Sequence, residues 1–382
     1  MIRRRCATGP GRGRESALRV LVVNAGSSSL KLALLDDDKT LVARELSAPR
    51  AKVDERELRE ALKSGLGDPD AVGHRIVHGG ERFREPVLIN ADVEAGLHEL
   101  VDLAPLHQPR SLAALQAVSH ALPGVPAVAC FDTAFHATLP TGASTYALPS
   151  AWRERWGVRR YGFHGLSHAW VARRAPEVLD IPAGELRIIS CHLGAGASLC
   201  AISAGRSVDT TMGFTPLEGL VMATRSGSVD PGLLLWLLER GELTERDLSD
   251  ALEHESGLLG LAGTSDMRAV LARAAAGDER AGLALEVFLH RLRAGIGAMA
   301  ASLGGVDTLV FTGGVGENSS EIRGRAVTGL SFLGLAIDEE RNAGATGDCD
   351  LSASDARAQT LVVQAREDLE VARQVHATLG PG

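Results

Sequence analysis

The chain has 382 residues, of which 45% are apolar and 23% charged, and a formal net charge of −8. That length calls for two ordinary cores rather than one, and the composition is that of a globular chain, too apolar to stay disordered. The acidic balance argues against a nucleic-acid or anionic-membrane partner, which would need a basic face, but leaves room for a phosphate held by a few focused arginines. The five cysteines (Cys6, Cys130, Cys191, Cys200 and Cys349) are dispersed and form no C-x-x-C pair, which fits a reducing cytoplasm.

Residues 1–17, with Arg3, Arg4, Arg5, Arg12 and Arg14 among glycines, lack the apolar core of a secretory signal and are expected to be a disordered leader; a targeting arm and a misassigned start are the alternatives. Leu18 to Leu35 reads as strand, tight turn, strand, with Asn24-Ala-Gly-Ser-Ser-Ser29 at the turn. Leu186 to Ile202 repeats that layout around His192-Leu-Gly-Ala-Gly-Ala-Ser198. A third glycine turn, Thr312 to Ser319, follows the strand-like Val306 to Phe311 and precedes a helical pattern from Glu321. Helical patterns also cover Ala114 to Ala121, Gly232 to Arg240 and Ala281 to Leu303. The longest apolar stretch, Gly232 to Leu238, is far short of the roughly 20 residues of a membrane span. Strands alternating with helices, and a hairpin repeated in each half, predict a duplicated α/β architecture. The expected domains are 18–165 and 166–365, with a last helix over 366–382 packing back on the first domain.

Glycine-serine turns offer converging backbone N–H groups and hydroxyls to phosphate, although each alone is equally well a hairpin or helix cap. A strand follows Gly194-Ala-Gly196, so it is no dinucleotide fingerprint, and no G-x-x-x-x-G-K-[ST] occurs. Lys31 follows the first turn and would set an ammonium beside the same phosphates, unless it is a plain surface lysine. Asn24 offers an amide oxygen to hydrated magnesium. Arg75 sits in an apolar strand ending at Gly79 and Gly80, and a buried arginine requires an anion, either a ligand or a structural carboxylate. Arg225 lies in a second glycine-serine setting, so the two arginines could clamp carboxylate and phosphoryl oxygens. Asp132 ends an apolar strand, where it could reach a site or cap a turn. His164 lies between Gly162 and Gly165. The pairs His74/His78 and His164/His168 lack a third ligand and an H-E-x-x-H glutamate, which argues against a metal centre built on them.

Taken together these segments resemble the acetate kinase family from about Leu18 to Arg373. The resemblance is carried by Val23-Asn-Ala-Gly-Ser-Ser-Ser-Leu-Lys31, Gly73-His-Arg-Ile-Val-His-Gly-Gly80, Leu103-Ala-Pro-Leu-His107, Phe131-Asp-Thr-Ala-Phe-His136, Tyr161-Gly-Phe-His-Gly165, Met212-Gly-Phe-Thr-Pro-Leu-Glu-Gly219 and Gly314-Val-Gly-Glu-Asn-Ser319. It implies two actin-like, ribonuclease H-like domains of the sugar kinase, heat-shock and actin superfamily, with a cleft between them. It further implies a homodimer that transfers the γ-phosphoryl group of ATP to acetate, giving acetyl phosphate and ADP. By the same resemblance Asn24 and Glu367 hold Mg2+ or Mn2+, and Lys31 meets nucleotide phosphate. His192, Leu193, Gly194, Ala195 and Gly196, then Asp266, Met267 and Arg268, then Gly314, Val315, Gly316, Glu317 and Asn318 bind ATP. Arg75 binds the substrate carboxylate, with Val77, Leu106, Phe163 and Pro216 around its methyl group. Asp132 is the catalytic acid, and His164 and Arg225 stabilise the transition state. Ala195 stands where the family usually has asparagine, the segment Gly263 to Arg268 is one residue short with Met267 at a commonly aromatic place, and Arg366-Glu-Asp368 replaces a Thr/Asn-Glu-Glu run. The rival readings are a propionate or butyrate kinase of the same family and, outside it, a nucleotide-binding regulator without catalysis.

Overall fold

The computed structural model describes residues 18–26, 29–47, 55–104, 108–182 and 184–380. The arginine-rich leader and Leu106 lie outside the described residues. Strands β1 (Arg19–Ala25), β2 (Ser29–Asp36), β3 (Lys39–Ser47), β4 (Ala71–Ile76), β5 (Val87–Leu88) and β6 (Ala127–Phe131) form one sheet in the order β3-β2-β1-β4-β6-β5. Strands β7 (Arg187–Leu193), β8 (Ala197–Ser203), β9 (Arg206–Thr210), β10 (Thr308–Thr312), β11 (Cys349–Asp350) and β12 (Gln359–Val362) form the other, in the order β11-β12-β10-β7-β8-β9. Numbered within each half, the two orders are the same. Each begins as an antiparallel three-strand meander, continues through two parallel neighbours and ends on a short antiparallel edge. The duplication expected from the repeated hairpins is therefore present strand for strand.

Both sheets are covered on both faces, which is why their strands read as near-continuous apolar runs. In β1, Leu21 and Val23 face the helix Gln108–Ala121 through Ala114 and Val118. Val20 and Val22 face the opposite way, onto the C-terminal helix Glu367–Leu379 through Leu369, Val371, Ala372 and Val375. In the second sheet Ile189, Cys191, Leu199 and Phe311 pack with the long helix Glu279–Leu303, whose Phe288, Leu289, Leu292 and Ile296 are buried. The other face, through Ile188, Cys200, Ile202 and Val310, packs on Val171, Ala172 and Ala175 of the helix Gly165–Leu179. That helix also sends Leu166 into the core of the first sheet, so it belongs to both.

One element differs from the sequence reading. Residues expected as a glycine turn after β10 form a short helix, Gly313–Asn318. Gly313 takes φ +77°, which turns the strand into the helix, and the Gly313 N–H donates to the Glu317 carboxylate at 2.9 Å. The apolar stretch Gly232 to Leu238 is helical as read, within Pro231–Glu239, but none of that helix is buried, and no helix among the described residues is long and apolar enough to cross a membrane.

The C-terminal helix reaches the first sheet because residue 73 has no side chain. A Cβ there would stand 2.5 Å from Val371 Cγ1 and 2.8 Å from Val375 Cγ2. Gly73→Val is therefore expected to overpack this contact and lower stability by about 1–3 kcal/mol, read from the denaturant midpoint. An unchanged midpoint would show that the helix yields freely.

Candidate active site

Asp132 and His164 are brought together by backbone geometry. Asp132 follows β6 directly, and its carbonyl oxygen accepts from the Gly165 N–H at 2.8 Å. The approach leaves no room for a side chain, since a Cβ on Gly165 would lie 2.1 Å from that oxygen. His164, one residue earlier, has φ +55°, a left-handed conformation uncommon for a non-glycine residue. That conformation holds its ring at the head of the Gly165–Leu179 helix, where its centroid lies 4.3 Å from that of His192 at the end of β7.

Arg75, in β4, finds its anion in Asp132. Nη2 donates to Oδ2 at 2.5 Å and Nε to Oδ1 at 3.2 Å, a bidentate pair, while Nη1 donates to the Asn24 amide oxygen at 3.0 Å. Glu367 lies 3.7 Å from Arg75 Nε. Burial opposes the guanidinium charge, but Asp132 and Glu367 beside it more than offset that and hold Arg75 far above the range in which it would lose its proton. Burial pushes the Asp132 carboxyl up, against the pull of Arg75. Asn24, Lys31, Arg75 and Glu367 together line a cavity of ≈ 490 Å³.

On the other side stands the β7–β8 turn. A Cβ on Gly196 would lie 3.0 Å from Arg225 Nη2 and 3.1 Å from His164 Nε2, so the missing side chain lets an arginine and an imidazole converge there. Arg225 Nη1 donates to the Pro216 carbonyl oxygen at 2.7 Å, and Glu253 lies 4.0 Å from its Nε. The loop carrying Pro216 is braced by Tyr146, whose hydroxyl donates to Glu218 at 2.5 Å and accepts from the Phe214 N–H at 2.9 Å. Val77 and Phe163 are buried in one apolar cluster with Met212, Leu220 and Val221. The edge of Phe163 meets the His78 ring at 5.5 Å, and His78 Nδ1 accepts from the Gly80 N–H at 2.9 Å.

A second cavity of ≈ 540 Å³ gathers three segments that the sequence keeps far apart: Gly194 and Ala195; Asp266, Met267 and Arg268; Gly314, Val315 and Asn318. Met222, Ala223, Leu258, Leu271 and Phe288 make the rest of its lining mostly apolar. No local pattern marks these five residues, which reach the cavity only through the tertiary fold. Five of the residues expected to bind ATP do not line it. Leu193 is a core side chain, and Gly316 packs on Phe311. His192 turns to His164, and Gly196 to Arg225. Glu317 does not line it either: one carboxylate oxygen accepts from both the Gly313 and the Ala365 N–H, each at 2.9 Å.

Among the described residues no three His, Cys, Asp or Glu side chains are arranged to hold an ion by themselves. Asn24 and Glu367 nevertheless line one cavity with oxygen donors that also face the Arg75 guanidinium, so an ion there would keep much of its water and take its remaining ligands from phosphate, as magnesium does. Arg366, unlike the expected threonine or asparagine, makes a bidentate pair with Asp368 at 2.9 Å and reaches Thr40 Oγ1 at 2.8 Å, tying the residues on both sides of Glu367 to the β2–β3 hairpin.

Two sheets of one topology, with arginines from both halves converging beside a nucleotide-sized cavity, define a phosphotransferase of the actin-like ATPase fold. Comparison with known proteins narrows this. The acetokinase family model matches residues 52–373. The chain is 47% identical to the acetate kinase of Synechococcus sp. (strain JA-2-3B'a(2-13)) over 93% of this chain and 98% of that one. It is 43% identical to the acetate kinase of Methanosarcina acetivorans over 93% and 96%. Among solved structures, Porphyromonas gingivalis acetate kinase superposes with a TM-score of 0.86 at 38% identity, covering 95% of this chain and all of that one. A propionate kinase from Francisella tularensis gives 0.86 at 34%, covering 94% and 98%. The ROK hexokinase of Thermus thermophilus, at 14% identity and a TM-score of 0.50, is alike in fold alone. The chain belongs to the acetokinase family and is a kinase.

Six histidines sit in or behind this site. Burial lowers His74, His78, His136 and His192 from the ordinary 6.5 to about 4, and burial with neighbouring histidines holds His164 and His168 well below 6.5. All six are therefore neutral in the folded chain at neutral pH, while the unfolded chain takes up their protons below about 6.5. By linkage, the stability they preserve is complete above that value and is lost as pH falls toward about 4, by up to about 1.4 kcal/mol per histidine per pH unit. Thermal melts at about pH 7.5 and 5.5 should show a marked fall in Tm; equal melting temperatures would mean that the fold accepts these protons.

Proposed function

We propose that this kinase transfers the γ-phosphoryl group of ATP to acetate in a single in-line step, giving acetyl phosphate and ADP. The observation that carries the proposal is the convergence of Arg75 with Asp132, and of Arg225 with His164, on a site flanked by the buried Val77 and Phe163. A clamp of this kind suits a small carboxylate and has no use in a pure nucleotide switch. Nucleotide enters the ≈ 540 Å³ cavity, with the base on its apolar lining and the phosphates toward the Gly194–Gly196 turn. Asn24 and Glu367 would hold a magnesium ion brought with the nucleotide, which would supply positive charge to the phosphoryl oxygens.

Acetate resembles a glutamate side chain, with a pKa of roughly 4.3, and arrives ionised, so no base is required. Both Asp132 oxygens are committed to Arg75. Asp132 thus fixes the guanidinium that receives the substrate carboxylate, while Arg225 and His164 donate to the charge that builds on the phosphoryl oxygens. The domain limits 18–165, with 366–382, and 166–365 belong to this proposal, and so does a homodimer. Support for the dimer comes from the helix Pro231–Glu239, which exposes Leu233, Leu235 and Trp236 at 45%, 62% and 52%. A cytoplasmic setting accords with the four described cysteines, none of them in a disulfide.

A coupled assay of ADP formation with acetate, propionate and butyrate tests the reading, with acetate expected to give the highest kcat/KM; preference for a longer acid would make the chain a propionate or butyrate kinase. Arg225→Ala should lower kcat on the order of 10³ or more, by analogy with a lost arginine finger, and a loss under about tenfold would remove it from catalysis. The rate should stay flat between about pH 6 and 8, because no proton is taken from substrate. A limb in that range that vanishes in Asp132→Asn would restore the carboxylate as an acid or base.

A further inference from the structure

Behind His164 lies a chain of hydrogen bonds that the reaction as described does not use. His164 Nδ1 is 2.9 Å from Ser198 Oγ, which is 2.8 Å from His168 Nε2, and His168 Nδ1 is 2.8 Å from Ser190 Oγ. Ser198, His168 and Ser190 are fully buried, so these groups have only one another. The opposite ring nitrogen, His164 Nε2, faces the β7–β8 turn beside Arg225.

A serine hydroxyl has one proton, and a neutral imidazole carries one proton on one of two nitrogens. The chain therefore has two self-consistent orders. In one, Ser190 donates to His168 Nδ1, His168 Nε2–H donates to Ser198, and Ser198 donates to His164 Nδ1. The His164 proton then sits on Nε2, pointing into the site. In the reverse order every bond is turned round, and His164 presents a bare lone pair to the site. His164 is held neutral by burial and by the cations around it, so it can stabilise developing phosphoryl charge only as the Nε2–H tautomer.

We propose that Ser198 is a positioning residue for phosphoryl transfer: by donating to His164 Nδ1 it keeps the His164 proton on Nε2, where it meets the transferring oxygens. His168 supports this by filling the acceptor side of the Ser198 hydroxyl, leaving the hydroxyl proton one place to go. The inference rests on the reading of His164 as a transition-state donor.

The test pairs kinetics with ring 15N NMR of the full chain. In wild type with ADP and a planar phosphoryl mimic such as aluminium fluoride, the His164 signals should report the Nε2–H form. Ser198→Ala should lower kcat on the order of 10–100-fold, as loss of a partner that orients a histidine commonly does, while the KM values for acetate and ATP move little. Ser198→Cys, which keeps a weak donor, should recover part of kcat. A Ser198→Ala enzyme with wild-type kcat, set beside an impaired His164→Ala, would overturn the role of Ser198 alone. If His164→Ala keeps wild-type kcat, the reading of His164 itself fails. Should Ser198→Ala not fold, the wild-type spectrum decides: an Nδ1–H ring at His164 refutes the proposal.

Discussion

The structure turns on one backbone contact, the Gly165 N–H against the Asp132 carbonyl. It joins the end of β6 to the head of a helix that packs on both sheets, with no side chain between them. It sets Asp132 and His164 relative to each other. Asp132 takes Arg75 on the near side, and His164 is swung toward Arg225 and His192 on the far side. A hydrogen bond between two such short groups has little slack, which is what a reaction dependent on placement rather than covalent help requires.

Electrostatics then divides the site into two kinds of group. The arginines stay charged, because Asp132 and Glu367 offset the burial of Arg75, while Arg225 keeps Glu253 nearby against a burial that lowers it. The histidines stay neutral, because burial and their mutual crowding forbid more charge. Fixed cations surrounded by neutral donors can stabilise a negative transition state without themselves changing protonation.

Much of the fold was legible because duplicated hairpins carry their own punctuation. Asn24 to Ser29 and His192 to Ser198 both announced strand, turn, strand, and the matched sheet orders follow from them. Arg75 was legible as a buried cation needing a ligand or a structural carboxylate, and Asp132 as a residue at a strand end; their bidentate pairing takes its geometry from β4 and β6 lying side by side, a neighbourhood set by the tertiary fold. The Gly313–Asn318 helix was missed because glycine at 313, 314 and 316 reads as a turn, and the Glu317 cap that winds it into a helix becomes visible only with coordinates. The walls of the ≈ 540 Å³ cavity, Leu258 and Phe288 among them, have the pattern of ordinary core residues. Nothing local separates a side chain facing a ligand from one facing another leucine.

The bifurcated Glu317 carboxylate ties two distant pieces of chain together. The helix Gly313–Asn318 borders the ≈ 540 Å³ cavity through Gly314, Val315 and Asn318, and Ala365, two residues before Glu367, lines the other cavity. One oxygen holds both amides, so the helix and the acidic residue share an anchor. A single carboxylate oxygen thereby fixes an edge of each cavity at once, Ala365 on one and the helix carrying Gly314 and Val315 on the other.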